Sequence, residues 1–170
     1  MSVDPESGAA WHEPGDEAFG RQVNPALDTP QQRRALVALS LVPGLGAARI
    51  RALLAYLRSP VAVWKAARSQ LESVPGVGPS VSEAILTFDD HDAVDRQMRR
   101  AEAVGAKLIT PWDDAFPDRL RQIYDPPVFL WVRGDLSCVH SGAVAIVGTR
   151  RCTDYGRQQA ARFAAELVRH

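Results

Sequence analysis

Apolar residues along this chain follow one period up to about residue 105 and another beyond it. Between Gln31 and Phe88 they recur every three or four positions. Ala35, Leu36, Leu39 and Val42 form one stripe and Ile50, Leu53, Leu54 and Leu57 another, which predicts amphipathic helices. Ser59 followed by Pro60 supplies an N-cap and a first-turn proline for a third helix through Val63, Trp64 and Ala67. A short helix through Leu71 and one from Ser80 to about Phe88 complete a five-helix unit. Asp89, Asp90 and Asp92 lead into a further helix, which Gly105 ends as its C′ residue. After Gly105 the pattern predicts strands at residues 106–110 and 128–132, the second following Pro126-Pro127, with a short helix over 116–123 opened by Pro117. Residues 143–147 are a continuous apolar run of the kind found in a strand covered on both faces. From Asp154 onward, Phe163, Ala164, Leu167 and Val168 mark the apolar side of a last helix. Strand, tight loop and helix in that order open a doubly wound α/β domain.

The first thirty residues show neither period. They hold Asp4, Glu6, Glu13, Asp16, Glu17 and Asp28 among glycines and prolines and read as a flexible acidic tail. The expected organisation is therefore a tail over 1–30, a small helical domain over 31–90 and the beginning of an α/β domain over 91–170. A net charge of zero conceals this unevenness: residues 1–30 carry one Arg against six acids, residues 31–86 seven Lys/Arg against two, and residues 143–170 five against two. Hydrophobic residues make up 46%, enough for packed cores. No secretory leader is evident and no apolar run approaches the roughly 18 residues of a membrane span, so the expected compartment is the cytoplasm. Cys138 and Cys152 stand in no metal-ligand spacing and read as reduced thiols.

One segment is repeated. Val42-Pro43-Gly44-Leu45-Gly46 returns as Val74-Pro75-Gly76-Val77-Gly78, each copy between a helix that ends and a helix that begins. Paired glycines let the chain reverse and leave the first N–H groups of the next helix open to an anion. These residues resemble the helix-hairpin-helix motif, which holds a DNA phosphate without reading the base. Arg49 and Arg51 follow the first copy and favour a polyanion; Pro79, Ser80 and Glu83 follow the second and do not. The alternative reading is that both glycine pairs only close a small helical domain.

A second anion site is predicted near the end. Gly148 permits a turn off the apolar run, Thr149 offers a hydroxyl, Arg150 a fork of donors, and the helix near Gly156 its first N–H groups. Neither the dinucleotide fingerprint nor the P-loop is present. The competing reading is an ordinary turn in which Arg150 pairs with a nearby acid such as Asp154.

The wider run of residues resembles a known family. Asp113-Asp114-Ala115-Phe116-Pro117, Leu120, Ile123, Asp125-Pro126-Pro127, Phe129 to Asp135 and the Ala143 to Arg150 run appear in that order, and together they resemble the bacterial DNA-processing protein A (DprA/Smf) family. The resemblance implies a SAM-like helical domain with helix-hairpin-helix elements followed by an extended Rossmann domain. It implies a non-enzymatic mediator, without cofactor, that binds single-stranded DNA and helps load the RecA recombinase during natural transformation, commonly as a homodimer. By motif, the strand-binding residues are Gly148, Thr149, Arg150 and Gly156, with Gly44, Gly46, Arg49, Gly76 and Gly78 as hairpin contacts. Phe116-Pro117 stands where the family has tyrosine and proline. The sequence reaches His170 after one strand and one helix of the expected Rossmann core, and the expectation is a truncated product, a fragment or a misassigned reading frame.

Two other functions remain open at this stage: a Rossmann-like nucleotide hydrolase, and a protein-docking module that touches no DNA. Asp113, Asp114 and Asp118 are weighed as Mg²⁺ ligands against a solvated loop, and Trp112 and Trp131 as base-stacking platforms against core residues. His12, His91, His140 and His170 are scattered and suggest no catalytic group.

Overall fold

The computed structural model describes residues 27–137 and 144–169. The acidic segment up to residue 26 lies outside them, as do His12, Cys138, His140, Ala143 and His170. The chain divides into two compact units, residues 1–136 and 137–170.

In the first unit, α1 (Pro30–Leu41) is the central helix. The Thr29 hydroxyl caps it by accepting from the Gln32 N–H at 3.3 Å, and Pro30 occupies its first turn. Leu36 and Leu39 face one core with Ile50, Leu53, Val63 and Leu71, while Val37 and Ala38 face a second with Val94. Burial on two sides explains why Val37 is fully buried although it lies off the predicted stripe.

The next helices are α2 (Ala47–Leu57), α3 (Pro60–Lys65), α4 (Arg68–Glu72) and α5 (Pro79–Leu86). The five predicted helices are all present. Ser59 caps α3 through the Ala62 N–H, as its position predicts. That helix ends before Ala67, whose N–H instead donates to the Gln70 side chain at 2.9 Å and so opens α4.

Helix α6 (His91–Ala103) stops as expected at Gly105, which adopts φ +67. The Gly105 N–H donates to Glu102 O at 2.9 Å and the Ala106 N–H to Ala101 O at 2.8 Å, the paired bonds of a Schellman end. Strands β1 (Lys107–Ile109) and β2 (Leu130–Val132) pair antiparallel with Leu108 opposite Trp131, and α7 (Asp118–Arg121) lies between them in the chain. The boundary expected near residue 90 does not interrupt the packing: α6 lies against α1, and Trp112 and Val128 belong to the same core as Leu36.

The second unit contributes α8 (Asp154–Leu167), where the apolar period places it. Of the strand predicted over 143–147, the described residues 144–147 form none. Residues 144–149 have no strand assignment, and Val144, Ile146 and Val147 are exposed. A strand draws its hydrogen bonds from neighbours, and no described strand lies beside this run. Among the described residues the only sheet is the antiparallel β1–β2 pair; the parallel sheet of a doubly wound domain is absent.

Candidate nucleic-acid interface

The terminal loop is open and cationic. Thr149, Arg150 and Arg151 are exposed immediately before the cap of α8, and Arg157 lies in that helix. The Thr153 hydroxyl accepts from the Gly156 N–H at 3.1 Å, so one of the helix's leading donors already has a partner. Asp154 faces Arg157 at 3.8 Å, and no ion pair between Arg150 and Asp154 forms among the described residues. Gly148 does not have positive φ, and a Cβ added there meets nothing within 4 Å. At Gly156 an added Cβ would lie 3.4 Å from Thr153 Oγ1, an ordinary contact. Neither glycine is required by local conformation.

The repeated turns have nearly the same backbone. Gly44 and Gly76 adopt φ +76 and +79, and the Leu45 and Val77 N–H groups donate back to Val42 O and Val74 O at 3.1 and 3.0 Å. Val42, Leu45, Val74 and Val77 are buried, which seats both turns on the core. Only the first glycine of each pair needs the left-handed region. Gly46 and Gly78 are extended N-caps without a capping side chain, so the leading N–H groups of α2 and α5 lack that partner. The arginines after the first turn are engaged within the molecule. Arg49 donates from Nε to Gly76 O at 2.8 Å and from Nη1 to Gly44 O at 2.7 Å, bracing the two turns against each other. Arg51 donates to Pro126 O at 2.6 Å and Asp125 Oδ1 at 2.5 Å.

The Asp113 to Pro117 motif is a structural joint. The Asp113 carboxylate accepts from the Thr110 N–H and hydroxyl at 2.6 and 2.8 Å and from two Arg33 nitrogens at 2.5 and 3.1 Å. Arg33 also donates to Leu108 O at 2.8 Å and to Asp28 at 2.5 Å. Burial pushes the Asp113 carboxyl up, but the hydrogen bonds from Arg33 and Thr110 outweigh it and hold the group below the usual carboxylate range. Arg121 lies 5.1 Å from the centre of the buried Phe116 ring and donates to Pro111 O, to Asp113 O at 2.7 Å and to Phe116 O at 3.3 Å. Asp118 sits 3.5 Å from Arg121. Asp113 and Asp118 are thus each engaged by an arginine, and among the described residues no three His, Cys, Asp or Glu side chains are grouped to hold a metal. Trp112 is buried in the core and is not open to a base, while Trp131 is partly buried with its ring edge-on to Phe129 at 5.9 Å. Arg33 and Arg121 carry no local signal in the sequence; only their partners reveal them.

Residues 107–170, from β1 through α8, match the model of the family described as DNA recombination-mediator protein A. Among curated relatives, the DNA processing protein DprA of Bacillus subtilis is 40% identical over 66 residues, 38% of this chain and 22% of that protein. The protein Smf of Synechocystis is 28% identical over 137 residues, 78% of this chain and 34% of its own length. A putative DNA processing protein DprA of Mycobacterium tuberculosis is 38% identical over 90 residues, 45% of this chain and 22% of that protein. The matches thus span about a fifth to a third of these relatives' lengths. No solved structure gives a significant match. The family model and these relatives agree in what the chain is similar to, the DNA recombination-mediator protein A (DprA/Smf) family.

Proposed function

We propose that this chain is part of a non-enzymatic recombination mediator. It holds single-stranded DNA by its phosphates on the loop and helix start of Gly148, Thr149, Arg150 and Gly156, as one half of a homodimer that passes the strand to RecA. The observation that carries the reading is the exposed arginine loop ahead of α8. Arg150 and Arg151 stand directly before a helix start whose dipole favours anions, with the Asp154 and Tyr155 N–H groups at the open end. Gly148 and Gly156, which the fold does not require, keep that surface low enough for a nucleic-acid backbone to approach. The two glycine turns act as helix-hairpin-helix elements that offer the starts of α2 and α5 to further phosphates. Arg49 serves there as the brace between the turns rather than as a phosphate contact.

The test is titration of the full chain with labelled oligonucleotides of different sequence, followed by fluorescence anisotropy from about 50 to about 200 mM salt. Arg150→Ala weakens binding to every sequence and lowers the log–log salt slope by about 0.7, the value for one lost single-strand phosphate contact. Unchanged affinity and slope in Arg150→Ala would overturn the assignment. Among the described residues no helix is long and apolar enough to cross a membrane.

A further inference from the structure

A groove of about 270 Å³ opens between α1, α3 and α6, away from the glycine turns. Its floor is apolar: Ala35, Ala38, Val61, Trp64 and Val94. The small Ala35 and Ala38 leave the depression, and Trp64 is fixed at its side by donating Nε1–H to Ala35 O at 3.1 Å. Arg34, Lys65 and His91 stand around the opening. Arg34 is paired with Asp95, whereas no carboxylate among the described residues pairs with Lys65 in the last turn of α3. The volume falls just under the roughly 300–1,000 Å³ of small-molecule sites. It suits a single aromatic side chain with acids beside it better than a cofactor.

We infer that this groove binds the acidic segment that precedes α1, residues 1–26, with Trp11 on the apolar floor and Glu13, Asp16 and Glu17 toward Lys65 and His91. Three observations support this occupant. Its charge is complementary, since residues 1–26 carry Asp4, Glu6, Glu13, Asp16 and Glu17 against Arg21 alone. Trp11 lies within this acidic run, two positions before Glu13. The tether is also well placed. The segment meets the fold at Leu27, which is buried in the core, and α1 begins lining the groove at Gln31. The chain from Trp11 to Leu27 spans up to roughly 50 Å when extended, so reach sets no limit. Tethering also raises the local concentration of the segment to about the millimolar range, so a weak contact suffices. The inference does not depend on DNA binding elsewhere in the chain.

The sequence provides a clean test, because Lys65 and Lys107 are its only lysines and both side chains belong to exposed residues. Zero-length carbodiimide coupling of the full chain, mapped by mass spectrometry, joins Lys65 to acids of residues 1–26 several-fold more than it joins Lys107. The linkage is intramolecular, fades at about 0.5 M salt, where charges are screened within a few ångströms, and is lost in Trp11→Ala. Equal coupling at both lysines, coupling of Lys65 only to acids beyond residue 26, or a concentration-dependent link to a second copy would each overturn the inference.

Discussion

Asp113→Asn is expected to cost the first unit far more than its loop position suggests. The substitution removes the charge that Arg33 meets from α1 and weakens the acceptor for the Thr110 N–H and hydroxyl. The Asp113 and Arg33 side chains are 18% and 21% exposed and Thr110 is 1% exposed, so the groups left behind are poorly reached by water. Removing one partner of a fully buried pair costs about 3–5 kcal/mol. Partial exposure, and the Asp28 carboxylate that Arg33 retains, reduce this to about 2–3 kcal/mol. Urea unfolding of the full chain, followed by tryptophan fluorescence with the buried Trp112 as a nearby reporter, measures it. With a denaturant slope of about 2 kcal/mol per molar, the midpoint falls by about 1 M. The exposed neighbour Asp114 provides the control, and Asp114→Asn stays within about 0.5 kcal/mol. The pH dependence has a definite sign. The folded Asp113 value is depressed, so its contribution is present above the unfolded carboxylate value of about 3.9 and is lost as pH falls through the folded value. The gap between wild type and Asp113→Asn therefore closes in acid. A loss below about 0.5 kcal/mol at neutral pH, the level of an exposed ion pair, would refute the reasoning.

Four further outcomes can be checked on the same chain. Gly44→Ala places a side chain at φ +76 and costs about 1–2 kcal/mol in urea unfolding. Gly46→Ser adds a cap hydroxyl at an open, extended N-cap and leaves stability unchanged or higher while weakening oligonucleotide binding, if that turn holds phosphate. Arg49→Ala removes two bonds to turn carbonyls and costs about 1–2 kcal/mol; faster amide exchange at Leu45 and Val77 checks that both turns loosen together. Thr153→Ala removes the α8 cap, lowering the helix by about 1 kcal/mol and reducing the far-ultraviolet helical signal.

Local grammar determined much of this protein without help from the fold. Ser59-Pro60 starts a helix and Gly105 ends one because their hydrogen bonds close within five residues. The two Val-Pro-Gly-x-Gly copies fold alike because each bends at one glycine and buries the same pair of apolar residues. The loop at Gly148 to Arg150 was legible as a run of donors before a helix, whereas the Thr153 cap was not singled out.

What tertiary structure alone decided depends on partners distant in sequence. Arg33 meets Asp113 eighty residues away, and Arg49 reaches Gly76 twenty-seven residues on, so the fold makes the first a joint and the second a brace between the turns. Trp112 left the list of stacking platforms because the core reaches past residue 90 to cover it. The apolar run after Ala143 reads as a strand in composition, yet residues 144–149 form none, because a helix makes its hydrogen bonds within itself and a strand must be supplied with them by a neighbour.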